Sequence, residues 1–505
     1  MRFPRLVHNR LSYIGAAIST LALLVFGFLV ILHTVSGAAA APYAGLLIFV
    51  FVPAVLLCGL LLIPLGMFFE WRHSKRTGKA SISRFPVIDL NDPAYRNATA
   101  IFVGGSILLL FLSMFGSFEA YESTESITFC GVLCHNVMSP EYTTYQHSPH
   151  ARVRCVDCHV GPGADWYVKS KLSGMYQVYA VLLNKYPRPI PVPIHSLRPA
   201  QQTCEQCHWP KQFFGGQQKQ LVHFLPDETN TRWEINLLIK TGGGSPATGQ
   251  SEGIHWHMNI ASRVQYIATD KTRQHIPWVR MTNLLTGKAT EYVATDASVS
   301  QQDVARGGAR GHIRTMDCMD CHDRPTHIFL SPSYAVNLAL ETGKIDATLP
   351  FIKRTGVELL AATYESTDAA LDAVKDGVTK FYRDKYPDVL RTRGAAVTDA
   401  ASALQEIYRG NFFPKMKVRW DVYADNIGHL VSSGCYRCHD GLHKSADGKT
   451  ITKDCKACHT ILAEGKHEQL AFSSEPSGLT FQHPEDIGDV WQQMSCSDCH
   501  TGTLP

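Results

Sequence analysis

The chain has 505 residues, of which 45% are hydrophobic and 18% charged, and its formal net charge is only +4. This composition is ordinary, and the small net charge says little about partners; no nucleic-acid partner is expected. The distribution of the apolar residues and of the 15 cysteines along the chain is more informative than their number.

Three long apolar runs lie near the N-terminus, at residues 11–35, 43–69 and 98–120. Each is long enough to supply the roughly 20 residues that cross a bilayer as a helix. The first run is followed by small residues at 38–41 and could be mistaken for a signal peptide. Its apolar core is too long for that, and a second run follows almost at once. Residues 1–121 are therefore interpreted as an uncleaved anchor of three transmembrane helices.

Basic residues predict the orientation of the anchor. The loop between the first two runs contains no Lys or Arg, whereas the N-terminus and the loop after the second run are basic. The positive-inside rule places both basic segments in the cytoplasm. Three crossings then put everything after about residue 121 in the periplasm, so we expect a protein of the bacterial inner membrane. The basic residues concerned are Arg2, Arg5, Arg10, Arg72, Lys75, Arg76, Lys79, Arg84 and Arg96.

Six copies of the string Cys-x-x-Cys-His follow in the periplasmic part. This string attaches c-type haem: the two thiols form thioethers to the porphyrin, and the His binds the iron. Zinc sites or disulfides would use the cysteines but would not require a His after every second Cys. The six motifs are Cys155–Cys158–His159, Cys204–Cys207–His208, Cys318–Cys321–His322, Cys435–Cys438–His439, Cys455–Cys458–His459 and Cys496–Cys499–His500.

A seventh, longer motif precedes these six. Three residues instead of two separate Cys130 from Cys134, and His135 follows directly. Including this motif leaves only Cys58, in an apolar run, outside a haem motif. The sequence therefore predicts seven covalently attached c-type haems, with His135 as a candidate ligand of the first.

The periplasmic part divides by pattern into four segments. Segment 122–216 carries the first three motifs, and 217–310 contains alternating, β-branched stretches that predict a small β-rich insert. Segment 311–425 holds the fourth motif and then an apolar stripe at helical spacing. Segment 426–505 holds three motifs and is too small for a conventional core, so the porphyrins must fill it. The predicted fold is a membrane-anchored multihaem cytochrome c: three transmembrane helices and a periplasmic, mostly α-helical or irregular, haem-packed domain.

Each haem iron has a second axial position, and thirteen histidines outside the motifs and the membrane-proximal region can fill it. Those close to a motif are the preferred candidates, with one or the other His of the HWH segment added. An iron with two His ligands has no open position for a substrate, which favours electron relay. The candidates are His150, His327, His429, His443 and His483, with His255 or His257.

Several segments together resemble a known family. FEAYESTESITFCGVLCHNVMSPEY, HARVRCVDCHVGPGADWYVKSKLSGMYQVY and TCEQCHWP are similar to the NapC/NirT family of membrane-anchored multihaem quinol dehydrogenases. CMDCHDRPTH, GCYRCHDGLH, KDCKACHTIL and CSDCHTG resemble its larger members. The core resemblance covers about residues 98–210.

The resemblance implies that membrane quinol is oxidised beside the first haem and that periplasmic redox proteins receive the electrons. In small members a Met just after the first motif binds the iron, and a Lys and an acidic residue line the quinol pocket. Carried over, Met138 matches the Met and Lys171, or else Lys169, matches the Lys. The chain departs from the pattern in the longer first motif, in the later position of Met138, in Gln177 where an acid is expected, and in having three spans instead of one.

The expected function is therefore a quinol dehydrogenase that takes menaquinol or ubiquinol from the membrane quinone pool. Quinol releases two protons as well as two electrons, so a base must lie near the membrane. Glu122 and Asp165 are candidates, as are Glu119 and Glu141. The expected acceptors are periplasmic multihaem cytochromes or terminal reductases.

Two alternatives remain open. The chain could be a non-catalytic electron wire fed by another quinol-oxidising subunit, which Gln177 in place of an acid favours. A multihaem oxyanion reductase would need an iron with an open site, and the Lys-ended motif that often provides one does not occur here. Assembly into a homo-oligomer is also left open.

Overall fold

The computed structural model describes residues 5–36, 51–77, 89–133, 135–194, 197–208, 215–242, 253–258, 261–296 and 313–503. The chain forms two compact units, Met1–Met138 and Ser139–Pro505. The first unit contains the membrane helices and the first haem motif. The second contains the other six motifs.

Among the described residues, three helices are long and apolar enough to cross a membrane, as the sequence predicts. The first two pack closely through small residues: a Cβ on Gly15 would lie 2.7 Å from the carbonyl oxygen of Gly59. Such close backbone approach is typical of membrane helix pairs. The third helix starts at Pro93, where Asp92 accepts a hydrogen bond of 2.8 Å from the N–H of Ala94. The bounds are α1 Arg10–Ser36, α2 Val52–Thr77 and α3 Pro93–Glu125.

Ten more α-helices, of very different length, lie in the described part of the chain after α3. Four of them, α8 to α11, form a bundle around a core that includes Val374, Val378 and Leu404, all fully buried. The helical stripe predicted after the fourth motif is thus the core of this bundle. The helices are α4 His135–Gln146, α5 Cys155–His159, α6 Ala164–Leu182, α7 Cys318–Cys321, α8 Pro332–Glu341, α9 Ile352–Ala361, α10 Thr367–Lys385, α11 Pro387–Asn411, α12 Val490–Gln493 and α13 Cys496–Cys499.

The strands form two antiparallel sheets, and both combine the β-rich segment with the C-terminal segment. One sheet has the order β1-β2-β8-β9, and the other has the order β6-β3-β4-β5-β7. The boundaries drawn at 217–310 and 426–505 therefore separate strands that pair with each other. The strands are β1 Gly216–Phe224, β2 Arg232–Lys240, β3 Ser262–Ile267, β4 Trp278–Asn283, β5 Ala289–Ala294, β6 Arg314–Thr315, β7 His443–Ser445, β8 His459–Lys466 and β9 Ala471–Phe472.

Candidate haem and quinol sites

In the six Cys-x-x-Cys-His motifs, here called the complete motifs, the residue before the second Cys determines whether the backbone is α-helical. The motifs with Asp at this position are α-helical, and the Asp carboxylate accepts the backbone N–H of the residue before the first Cys. These bonds are 3.2 Å for Asp157, 2.9 Å for Asp320 and 2.9 Å for Asp498. This is the acidic half of a capping box, which satisfies a free N–H at the start of a helix. The three motifs without Asp form 3-10 turns instead, at Cys204–Gln206, Gly434–Arg437 and Cys455–Ala457.

The structure brings the His of every complete motif to a second His. All six partners are among the histidines singled out from the sequence. The ring centroids are 6.4 Å apart for His159 and His327, 5.9 Å for His208 and His150, 6.4 Å for His322 and His255, 5.9 Å for His439 and His257, 6.2 Å for His459 and His429, and 6.0 Å for His500 and His483.

These spacings fit one metal ion between two imidazoles. A His nitrogen binds a metal at about 2 Å and lies about 1 Å from its own ring centroid, so two opposed ligands have centroids about 6 Å apart. Four of the rings also donate from Nδ1 to a backbone carbonyl, which leaves Nε2 for a metal. These bonds are 2.6 Å from His255 to Thr241, 2.9 Å from His257 to Ile254, 2.9 Å from His327 to Glu141 and 2.8 Å from His439 to Thr452.

Burial keeps several of these imidazoles in the neutral form that binds metals. Burial lowers the pKa of His327 to about 4, and the nearby Arg324 guanidinium adds to the effect. Burial likewise lowers the pKa of His159, His257, His322, His429 and His459. The donor set and its protonation state therefore suit the two axial positions of a haem iron.

The pairs connect one motif to another. His150 lies just before the second motif but faces His208 of the third, and His327 lies just after the fourth motif but faces His159 of the second. His255 and His257 occupy one short turn and face the fourth and fifth motifs. His255 and His483 each face the motif that follows them in the chain, at His322 and His500.

Side chains of successive motifs are also close together. The thiols of Cys204 and Cys318, from the third and fourth motifs, are close enough to each other to interact. Cys158 lies near enough to Cys204 for their charges to interact, and Cys321 stands in the same relation to Cys435. Tyr436 is similarly close to cysteines of the fifth, sixth and seventh motifs. The second to seventh motifs thus follow one another in space as they do in the chain.

His443 is placed differently from the expectation that it is an axial ligand. Its Nδ1 lies 2.9 Å from the carboxylate of Asp440, and its Nε2 donates to the carbonyl of Ile276 at 2.7 Å. The side chain is 1% exposed and begins strand β7. Because both ring nitrogens are engaged, His443 joins the turn of the fifth motif to the second sheet and leaves no atom for iron.

Two arginines beside the motifs have structural roles that the spacing of residues in the sequence did not predict. Arg437 donates to the carbonyl of Asp320 at 2.6 Å and so joins the fifth motif to the fourth. Arg324 donates to the carbonyl of His327 at 2.7 Å and stacks 4.1 Å from the ring of Tyr423. Both arginines hold the backbone of a motif or of a proposed ligand in place.

The first motif spans a π-helical turn and the start of α4. Cys130 lies in the turn Phe129–Leu133, and Met138 lies in the first turn of α4. Cys134 and the side chain of His135 lie outside the described part of the structure. Positions 135 and 138 are three residues apart on one helix and therefore share a face.

Four of the five candidate quinol residues lie on α6. Lys171 Nζ is 4.8 Å from the ring of Tyr167, and Lys169 Nζ is 4.7 Å from the ring of Trp166. Asp165 is exposed in the first turn. Gln177 is six residues from Lys171, which places the two about 120° apart around the helix. Lys171 and Gln177 thus do not share a face.

The candidate bases have contrasting surroundings. Glu122 is exposed at the end of α3, in the other compact unit. Glu141, in α4, is largely buried 3.8 Å from the Arg324 guanidinium, and burial raises the pKa of its carboxyl although the arginine opposes this. Glu141 is also the residue whose carbonyl accepts from His327, so it lies beside the proposed second haem.

Comparisons with known proteins match this arrangement. Residues 93–189 match the model of the NapC/NirT cytochrome c family, N-terminal region. The chain is 42% identical over 496 residues to the cytochrome c-type protein ImcH of Geobacter sulfurreducens, across 97% of this chain and 95% of that protein. It is 29% identical over 122 residues to the cytochrome c-type protein NrfH of Wolinella succinogenes, across 24% of this chain and 68% of that protein. No solved structure matches.

Proposed function

The chain belongs to the NapC/NirT family of cytochromes c, and we propose that it oxidises quinol of the inner membrane and relays the electrons to periplasmic redox proteins. It is a membrane-anchored multihaem cytochrome that carries covalently bound haem and takes part in electron transfer. The proposal extends this to seven haems, to a quinol substrate, and to an orientation with the haem domain in the periplasm.

The observation that carries the relay is the series of six histidine pairs. Each pair would hold one haem iron, so we assign His327, His150, His255, His257, His429 and His483 to the second to seventh haems in that order. A c-type haem, when bound, accepts and releases one electron at a time. Because both axial positions are filled, these six sites have no room for an oxyanion substrate.

The quinol end of the relay is proposed for the first haem and α6. Lys171 positions a quinol oxygen, with Lys169 as its alternate, and Glu122 or Asp165 accepts protons. Position 135 and Met138 share one face of α4, whereas two axial ligands approach an iron from opposite sides. Only one of them can therefore bind the first iron, and we propose that it is Met138.

Purified full-length protein mixed with menadiol, a soluble menaquinol, tests this function. We expect the haem α-band to appear within seconds and to be oxidised again by an added acceptor. Lys171→Ala should slow the reduction at least tenfold, a loss of about 1.4 kcal/mol of transition-state stabilisation, without changing any haem spectrum. Lys375→Ala, at an exposed position of α10, is the matched control and should behave as the wild type.

The proposed dehydrogenase activity would be overturned if dithionite reduces the haems but no menaquinol or ubiquinol analogue does. Lys171→Ala with wild-type kinetics would remove this lysine from the quinol site.

Met138→Leu tests the ligand of the first haem. A thioether donates less to ferric iron than an imidazole does and so raises the potential, and leucine cannot ligate at all. We expect one haem to become high-spin or to shift in potential, and quinol oxidation to slow. Electron paramagnetic resonance and a redox titration measure both effects, with Met281→Leu on strand β4 as the control. Unchanged spectra and kinetics would return the axial role to His135.

One observation favours a second function, an electron wire fed by another subunit. Gln177 stands where the family has an acid and does not share a face with Lys171, so the pair that would line a quinol pocket is incomplete on α6. Co-purification with a b-type cytochrome, combined with no reaction of the isolated chain with quinol, would select the wire.

A further inference from the structure

Helix α6 exposes the residues that an amphipathic helix normally buries. Leu172, Met175 and Leu182 are 62%, 69% and 72% exposed. In helix α10, by contrast, Val374 and Val378 are fully buried. The other large apolar side chains that α6 and its C-terminal end expose are Val168, Tyr176, Val178, Tyr179 and Leu183.

These exposed side chains form one continuous face. Val168, Leu172, Met175, Tyr179 and Leu182 follow each other at steps of three or four residues, which places them on one side of a helix. The opposite side carries Ser170, Ser173 and Gln177, with Ala180 buried against the rest of the protein. Ser173 and Gln177 are exposed as well, so the described part of the protein leaves the apolar face of α6 uncovered and contacts the helix on its polar side mainly around Ala180.

The charges around this face have one sign. Residues 166–188 contain four cations and no acidic residue. Lys185 donates to the hydroxyl of Tyr179 at 2.9 Å, and Arg188 donates to that of Tyr186 at 2.7 Å. Trp, Tyr and cationic side chains at the edge of an apolar face are typical of helices that lie in the interface of a bilayer.

We propose that α6 lies in the headgroup region of the inner membrane, with its apolar face towards the acyl chains and its cations on anionic phospholipid. The bilayer is the occupant because α1, α2 and α3 anchor the chain in one and because anionic headgroups complement the four cations. The helix is not among the three that could span a membrane in the described part of the chain. Its contact is therefore interfacial.

Depth measurement by nitroxide labelling of the full-length, haem-loaded protein in nanodiscs tests the proposal. Single cysteines replace Met175 or Leu182 in a Cys58→Ala background. Met175→Cys and Leu182→Cys should be several-fold more accessible to oxygen and less accessible to a water-soluble nickel chelate than Asp372→Cys on α10. Ser173→Cys, on the opposite side of α6, should resemble Asp372→Cys more closely. The readout does not depend on quinol oxidation, so it stands or fails separately from the proposed function.

Nickel accessibility at Met175→Cys equal to that at Asp372→Cys would overturn the membrane contact. Shielding from both reagents that occurs only in discs holding two chains would also overturn it, and would assign the face to a second copy. The role of lipid charge is tested in discs that contain phosphatidylglycerol. There, we expect labels on α6 to be several-fold more accessible to the nickel chelate in the Lys185→Glu, Arg188→Glu double variant than in the wild type. Equal shielding of the wild type with and without phosphatidylglycerol would remove anionic recognition.

Discussion

At the scale of single residues, two histidines close to the same motif have different roles, because their ring nitrogens have different partners. His429 stacks 4.5 Å from the ring of Tyr436 and faces His459 across a gap that fits an iron. His443, just beyond the next motif, has both nitrogens in hydrogen bonds to protein atoms. Proximity to a motif in the sequence therefore predicts both histidines equally, although only one is placed to bind a metal.

His429→Ala and His443→Ala should separate these roles. His429→Ala should leave every thioether in place and convert one low-spin haem to high-spin, because the sixth iron loses an axial imidazole. His443→Ala should leave the number of high-spin haems as in the wild type while removing a buried hydrogen-bonded group, at a cost of about 1–3 kcal/mol. Electron paramagnetic resonance counts the high-spin sites. An additional high-spin haem in His443→Ala, or no additional one in His429→Ala, would reverse the assignment.

At the scale of elements, the helical bundle encloses a lysine without a carboxylate partner among the residues it contacts. Lys353, in α9, is 1% exposed. It donates to the carbonyl of Ser333 at 2.6 Å and to Asn337 Oδ1 at 2.7 Å, both in α8. Burial lowers the pKa of its amine from the ordinary 10.5 to about 7. Packing of α8 on α9 therefore removes the Lys353 amine from water, which lowers the free energy of unfolding when the amine is charged.

This lysine predicts how the stability of the bundle depends on pH. Between about pH 7 and pH 10.5 the unfolded chain holds a proton on Lys353 that the folded chain lacks, so the free energy of unfolding rises with pH across that window. Pulsed hydrogen exchange of residues 332–411, after equilibration in urea at about pH 6 or about pH 8.5, measures the unfolding midpoint. We expect the wild-type midpoint to rise with pH and Lys353→Met to flatten the rise. Exposed Lys375→Met should keep the wild-type slope; equal slopes in all three proteins would contradict the prediction.

At the scale of the whole molecule, the second unit is held together by contacts between distant parts of the chain. Strand β2 pairs with β8, more than 200 residues later, with Ile235 opposite Glu464. Strand β5 pairs with β7, and Tyr292 lies opposite Ser445. The histidine pairs add further links, since His150 faces His208 and His327 faces His159. We therefore expect haem attachment and folding of this unit to depend on each other.

We predict that the whole chain carries seven haems. Pyridine haemochrome analysis with intact mass measurement should give seven c-type haems per chain and no b-type haem, because seven Cys pairs are each followed by His. Six haems, with Cys130 and Cys134 open to alkylation, would show that the longer first motif does not attach haem. Cys58 should be alkylated in either case and serves as the internal control.

The amino-acid sequence by itself determined the features that depend on short contiguous stretches. Apolar length predicts the three membrane helices because one helix must cross the hydrocarbon without other support. Five adjacent residues form one complete attachment motif, so six Cys-x-x-Cys-His motifs are readable one by one. The histidines that face a motif His were also largely predictable: His150, His327, His429 and His483 do so, as do both histidines of HWH, of which one was expected, whereas His443 does not.

Only the tertiary structure decided which histidine faces which motif. A second axial ligand must approach the iron from the side opposite the motif His, and a short loop rarely passes around the porphyrin to reach it. A second ligand is therefore expected from another part of the chain, in the way that His327 faces His159. Strand pairing across 200 residues and the outward apolar face of α6 were equally invisible to local patterns, because hydrophobic periodicity predicts a helix or strand but does not say what covers it.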